Sequence, residues 1–161
     1  MTRKTFLSFC YEDDHWRVQQ VKNMGVVEEQ PILSANKWEE IENQGDAAIK
    51  KWIDENLRGK SCLIVLIGQR TAKRKWVQYE IKKAFDEGKG VLGVYIHNLK
   101  DSDGDQATMG PNPFDGFTVG NDPLSKWAKV YNPPYTTSSN VYDHIKNNLA
   151  DWVETAIDLR A

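Results

Sequence analysis

The sequence has 161 residues, of which 40% are hydrophobic and 27% are charged, and its net charge is −2 at pH 7. This balance is typical of one globular domain and excludes a disordered chain. Lysine and arginine are spread along the chain apart from the short cluster Lys73–Lys75, so nothing in the charge indicates binding to nucleic acid or to an anionic membrane.

The N-terminal part of the chain predicts a strand followed by a helix. Thr5 to Cys10 is a short, apolar stretch rich in aromatic residues, which is typical of a buried strand. The polar turn Tyr11–Asp14 leads into a helix that runs to about Asn23. The sequence enters the strand without a signal-peptide pattern and contains no apolar run long enough to span a bilayer, so we expect a cytoplasmic protein.

The middle of the chain predicts helices and strands in alternation. One helix begins near Gly45 and another contains Val77–Phe85, each with its apolar residues on one face. Between them, Cys62–Ile67 is apolar on both faces, as in a parallel strand covered by helices on each side. Val91–Ile96 predicts a further buried strand. This alternation predicts an α/β domain with a parallel sheet between helices.

Two segments interrupt the alternation. In residues 25–36, Val26-Val27 fits a short strand, but Pro31 prevents a longer one. Residues 98–125 form a long loop rich in Asp, Gly, Asn and Pro, and such a loop in a compact domain is usually functional or mobile. An edge strand and a C-terminal helix at about 139–158 follow, and we expect residues 1–161 to form a single domain.

The parallel sheet also indicates where a ligand binds. Ligands of such sheets lie beyond the carboxyl ends of the strands. In this chain that rule selects Cys10–Asp14, Gly68–Glu80 and the loop after Ile96.

Several sequence motifs match by residue type but do not lie in the structural context that their function requires. Gly88–Gly93 matches G-x-G-x-x-G, yet it follows a helix and enters a strand, so it presents no helix N-terminus to a pyrophosphate. Asp101, Asp103 and Asp105 resemble the start of a calcium loop, but the glycine stands at the wrong offset and no glutamate closes the loop. The three histidines and two cysteines are not spaced as metal ligands. We therefore expect neither a metal nor a separate cofactor.

Trp76 and Glu80 are four residues apart on a predicted helix, so their side chains share a face. They lie beside the apolar stripe rather than opposite it. A glutamate there has an ordinary structural explanation, because it can complement the helix dipole or pair with Lys73 or Lys83. Spacing alone favours that explanation.

A resemblance to a known family changes the interpretation of Glu80. Phe6-Leu7-Ser8-Phe9-Cys10-Tyr11-Glu12-Asp13 resembles the first strand and acidic loop of TIR domains, and Arg74-Lys75-Trp76-Val77-Gln78-Tyr79-Glu80-Ile81 is similar to their Trp/Glu motif. Trp38-Glu39, ahead of the helix near Gly45, and Gly110-Pro111-Asn112-Pro113-Phe114-Asp115 resemble the bacterial TIR-like domains of the Thoeris anti-phage type.

This resemblance implies a flavodoxin-like, three-layer α/β sandwich with a central, mostly parallel five-stranded sheet. It implies an enzyme that cleaves the N-glycosidic bond of NAD+, releases nicotinamide and makes a linear or cyclic ADP-ribose signal in bacterial anti-phage immunity. It also implies a homo-oligomer in the active state, a phage-derived trigger and a downstream effector that senses the nucleotide product.

Within this resemblance, Glu80 is the expected catalytic residue. Nicotinamide in NAD+ is already a cationic leaving group and needs no acid, unlike the leaving group of ordinary glycosidases. An ionised Glu80 near a helix N-terminus would bind the ribose hydroxyls and stabilise an oxocarbenium-like transition state. The expected substrate-binding residues are Ser8, Phe9, Tyr11, Trp38, Trp76 and Asn112. The 98–125 loop is a candidate lid over the site.

Two alternatives remain open. A non-catalytic TIR scaffold would signal by self-assembly, and Glu80→Gln would leave its signalling intact. A nucleoside deoxyribosyltransferase-like enzyme would also use a strand-end carboxylate, but it would act on free nucleosides and ignore NAD+. A phosphorylated receiver domain is disfavoured, because the strand ends carry Cys10-Tyr11 and Gly68-Gln69 instead of an aspartate.

Overall fold

The central sheet contains four parallel strands in the computed structural model, which describes residues 2–161. The strands of the domain are β1 (Thr5–Ser8), β2 (Cys62–Ile67), β3 (Gly90–Tyr95), β4 (Thr118–Val119), β5 (Asp122–Pro123) and β6 (Lys129–Tyr131). The order across the sheet is β1-β2-β3-β6, and every neighbouring pair is parallel. Strands β4 and β5 form a separate antiparallel hairpin inside the long loop.

Helices cover both faces of this sheet. They are α1 (Tyr11–Asn23), α2 (Ala35–Glu42), α3 (Asp46–Leu57), α4 (Lys75–Asp86) and α5 (Ser138–Asp158). Buried side chains of α1 and α5 pack on one face, and those of α3 and α4 pack on the other. Among residues 2–161, no helix combines the length and apolarity needed to cross a membrane.

Strand β2 shows why the sheet is covered on both sides. All six of its residues are buried. Ile64 and Leu66 pack with the α1 and α5 side chains, whereas Leu63, Val65 and Ile67 pack with those of α3 and α4. The unbroken apolar run thus supplies both cores of a three-layer sandwich, which confirms the predicted fold class.

The predicted number of five strands is wrong, because the described residues form a central sheet of four. The segment expected to supply the fifth strand runs beside β1 but makes a single parallel bridge, between Lys4 and Glu28. The side chain of Gln30 then replaces a strand backbone: its Oε1 accepts from the Leu7 N–H and its Nε2 donates to the Leu7 carbonyl, both at 2.8 Å. Pro31 follows and has no N–H to continue the ladder.

Helix α2 was not predicted, and it contains Trp38 from the family motif. Its N-terminus is capped by Ser34, whose Oγ accepts from the Lys37 N–H at 3.3 Å. None of its eight residues is buried, although Trp38 and Ile41 pack partly against the core on the α3 side. Gly45, at φ 97°, allows the turn into α3.

The long loop is held against the body of the domain at its start. The buried Arg17 donates from Nε to the Leu99 carbonyl at 2.7 Å and from Nη2 to the Asp105 carbonyl at 3.0 Å. Gly110 then packs so closely on the end of β2 that an added Cβ would lie 2.3 Å from the Gly68 carbonyl oxygen. These contacts fix the course of the loop along the carboxyl edge of the sheet.

Candidate active site

A cavity of about 260 Å³ opens where β1 ends, between α2 and the start of α4. This is one of the places selected by the rule that ligands bind beyond the carboxyl ends of parallel strands. Its wall contains aromatic side chains and several charged ones, of which only Glu80 is buried; the principal residues are Phe9, Tyr11, Trp38, Trp52, Trp76 and Glu80. Such a lining suits a planar ring joined to a polar group.

Glu80 is held at this cavity by β1. It is the sixth residue of α4, so it lies in the second turn of the helix, and only 6% of its surface is exposed. Ser8, the last residue of β1, donates a hydrogen bond from Oγ to Glu80 Oε1 at 2.6 Å. The fold therefore joins two predicted site residues that are 72 positions apart in the sequence.

The environment of Glu80 differs from the expectation of an ionised carboxylate. Burial raises the pKa of Glu80 from 4.5 to about 8, and the hydrogen bond from Ser8 offsets only part of that effect. The stabilising influence of the helix N-terminus is strongest in the first turn, and Glu80 lies beyond it. In the free protein at pH 7, the side chain is therefore mostly protonated.

Tyr11 and its neighbours form the aromatic wall of the cavity. The Tyr11 ring lies 4.4 Å from the Phe9 ring and 4.8 Å from the Trp38 ring, with centroids as reference points. It is parallel to Trp38 within 4°, while Trp38 meets the ring of Trp52 edge-on at 5.7 Å. Tyr11 Oη is buried in this wall. Burial raises the pKa of the Tyr11 phenol, and a backbone hydrogen bond at Leu33 offsets part of that rise.

Trp76 stands on the opposite rim, one helical turn before Glu80. Its ring meets Tyr79 edge-on at 5.7 Å, and the Lys75 ammonium lies 4.8 Å from its centroid. Next to it, Arg74 donates from Nε to Cys10 Sγ at 3.2 Å and from Nη2 to a Glu12 oxygen at 2.7 Å. The rim of the cavity beside α4 therefore carries two basic side chains, each in an ion pair, whereas its floor is apolar around one carboxyl group.

Cys10, Gln30, Trp52 and Arg74 also line this cavity and were not predicted as site residues, although Cys10 and Arg74 lie in stretches that the strand-end rule selected. Arg74 stands directly before the Trp/Glu motif, and its position next to a helix start was a usable signal. Trp52 was recognisable only as part of the apolar face of α3. Nothing local indicates Gln30, because its place depends on the backbone of β1.

Asn112 does not lie at this cavity. Its Oδ1 accepts the Phe114 N–H at 2.9 Å, which stabilises a turn in the long loop. No residue of the 98–125 segment lines the cavity, so the structure does not place the expected lid over it. The structure thus brings together Ser8, Phe9, Tyr11, Trp38, Trp76 and Glu80 and leaves Asn112 apart.

Two comparisons with known proteins bear on the family of the chain. Residues 6–101 match the model of the family described as "Thoeris protein ThsB, TIR-like domain". Over 129 residues the chain is 36% identical to the "putative cyclic ADP-D-ribose synthase ThsB1" of Bacillus cereus (strain MSX-D12). That alignment covers 76% of this chain and 67% of the Bacillus protein.

Proposed function

The chain belongs to the TIR-like domain family of Thoeris ThsB proteins, and from that premise we propose that it cleaves NAD+ in anti-phage defence. The reaction releases nicotinamide and converts the remainder into an ADP-ribose product, which in this proposal is cyclic. The name of the Bacillus relative, a cyclic ADP-D-ribose synthase, supports this choice. The observation that carries the proposal is Glu80, a buried carboxyl group held by Ser8 at the floor of an aromatic cavity.

Substrate binding favours ionisation of Glu80, which is mostly protonated in the free protein. A cation about 5 Å from a carboxylate at an effective dielectric constant of about 20 contributes about 3 kcal/mol, enough to lower a pKa by about 2. The nicotinamide ring of NAD+ is such a cation. Its arrival therefore favours the ionised form of Glu80, whose pKa in the free protein is about 8. The ionised carboxylate therefore forms beside the cationic ring and the ribose, where positive charge develops during bond cleavage.

The ionised Glu80 then acts by orientation and electrostatics. One oxygen accepts from Ser8, and the other is available to the hydroxyls of the nicotinamide ribose. As the bond between C1′ and the ring nitrogen breaks, its electron pair leaves with nicotinamide, which becomes neutral, and positive charge moves to the ribose. The nearby carboxylate stabilises that charge more than it stabilises the starting sugar. Water or a nucleophilic atom of the adenosine half captures C1′ and loses a proton, giving the linear or cyclic product.

The size of the cavity indicates how much of the substrate one copy of the chain can hold. A volume of about 260 Å³ lies just below the usual range for small-molecule sites, so we infer that the cavity accommodates the nicotinamide riboside half rather than the whole dinucleotide. The adenosine half would then lie beyond the rim at Arg74 and Lys75. A second copy of the chain would complete the site there, in keeping with the proposed active homo-oligomer. The phage-derived trigger and the effector that reads the product remain part of the proposal.

Nicotinamide release provides the test. The protein is incubated with NAD+ at high concentration or with a crowding agent, and free nicotinamide is followed over time. We expect release by the wild type, a loss of at least about a hundredfold in Glu80→Gln, and unchanged release in Glu87→Gln, an exposed position near the end of the same helix. Equal release by all three proteins would contradict the role given to Glu80, and no release by any of them would contradict the proposal and favour a scaffold. Base release from free nucleosides but not from NAD+ would favour the deoxyribosyltransferase alternative.

A further inference from the structure

The Tyr11–Trp38 stack lies in the wall of an open cavity rather than in a closed core. The rings are parallel within 4° at a centroid distance of 4.8 Å, yet both line the open cavity. Both side chains are thus packed against each other and at the same time accessible from the cavity.

One side of this stack belongs to a helix that has no buried residue. Tyr11 is fixed at the start of α1 and is backed by Phe9. Trp38 belongs to α2, which has no buried residue and is joined to α3 through Gly45. Inserting a planar ring requires Trp38 to move outward by about 3.5 Å, the thickness of one ring. Such a movement would break the edge contact between Trp38 and Trp52 but would expose no buried residue of α2.

Trp76, the other tryptophan at the rim, is less suited to a cation. The Lys75 ammonium already lies 4.8 Å from its centroid, and like charges would meet there. No cation–π contact is found at Tyr11 or Trp38 among the described residues. A positively charged aromatic ring gains most between two electron-rich rings that carry no cation of their own.

We propose that the Tyr11–Trp38 pair is the binding slot for the cationic nicotinamide ring of the substrate, which enters between the two side chains. This assignment rests on the proposed function. The ring is bonded directly to C1′, so the slot and the carboxyl group that acts on C1′ must be neighbours. They are: Tyr11 and Glu80 line the same cavity, and Ser8, three residues before Tyr11, holds Glu80. Trp76 then faces the sugar and the outward part of the substrate.

A binding experiment separates this inference from catalysis. The probe is 1-methylnicotinamide, which carries the ring charge but has no bond to cleave. Binding is measured by calorimetry and by the charge-transfer absorption that arises when a pyridinium ring stacks on an indole. The variants are Trp38→Leu and Trp76→Leu at the cavity, with Trp152→Leu as the matched control. Trp152 stacks on Tyr131 at 4.4 Å and 10°, a second Tyr–Trp pair that does not line this cavity.

We expect Trp38→Leu to weaken binding about tenfold and to abolish the charge-transfer absorption. The absorption and most of the affinity should persist in Trp76→Leu, and Trp152→Leu should match the wild type. Loss of the absorption in Trp76→Leu but not in Trp38→Leu would overturn the assignment, as would equal binding by all four proteins. Because the probe is not cleaved, the slot can be confirmed even if NAD+ proves not to be the substrate, and refuted even if NAD+ is cleaved.

Discussion

Replacing Glu80 by glutamine should change how the stability of the protein depends on pH. Glu80 has a pKa of about 8 in the folded protein and an ordinary value of 4.5 in the unfolded chain. Below pH 4.5 it is protonated in both states and adds no pH dependence. As the pH rises from 4.5 to 8, the unfolded chain loses the proton while the folded protein retains it, so the stability of the wild type falls. Glutamine resembles the protonated form and removes this contribution.

The structure gives the size of the effect. The difference between 4.5 and about 8 corresponds to about 4 kcal/mol at pH 8. We expect a change of at least about 2 kcal/mol between pH 5 and pH 8. The retained oxygen of glutamine still accepts from Ser8, so the variant should stay folded.

Urea denaturation at several pH values between 5 and 8.5 measures this difference. The free energy of unfolding of wild type minus that of Glu80→Gln should become more negative with rising pH. Glu87→Gln, exposed to solvent, should follow the wild type. The buried Asp14, whose pKa is raised to about 6, affects all three proteins equally. If the wild type and Glu80→Gln remained parallel within about 0.5 kcal/mol, the argument for a protonated Glu80 would fail.

Three further predictions concern the same site. In the NAD+ reaction, kcat/KM should decrease as the pH drops below about 8, the pKa of Glu80 in the free protein. The decrease in kcat should begin about 2 pH units lower, because the bound cation favours the carboxylate. If both parameters decreased at the same pH, this prediction would be wrong. Ser8→Ala removes a hydrogen bond that lowers the Glu80 pKa, so the kcat/KM limb should move about one pH unit upward; an unmoved limb would contradict it. Gln30→Ala leaves the Leu7 N–H and carbonyl without their partner and should cost about 2–3 kcal/mol in urea denaturation; a cost below about 0.5 kcal/mol would show that the pairing contributes little.

Periodicity predicted the parts of the fold in which the sequence pattern and the packing coincide. Strand β2 is apolar on both faces because both faces are buried. The stripe of Val77 and Ile81 marks the buried side of α4. Helix α2 escaped prediction because it is short and buries none of its residues. The fifth strand was implied by the family resemblance, yet the segment beside β1 makes one backbone bridge and the Gln30 side chain completes the pairing.

The site depended on information that local patterns do not contain. Spacing placed Trp76 and Glu80 on one face of a helix, but it did not reveal that Ser8 would reach Glu80 across the end of the sheet. The protonation of Glu80 follows from burial, which no motif reports. Asn112 was selected from a local resemblance, whereas the close contact of Gly110 with Gly68 directs its loop along another part of the sheet edge.

The central claim is that Glu80 cleaves the bond between nicotinamide and ribose in NAD+. Mass spectrometry of NAD+ incubated with the concentrated protein tests it most directly, because substrate and both products are identified in one sample. The account predicts that the wild type consumes NAD+ and yields nicotinamide together with a species of the mass of ADP-ribose less one water, while NAD+ stays intact with Glu80→Gln. Intact NAD+ with the wild type, or the same products from Glu80→Gln, would contradict it.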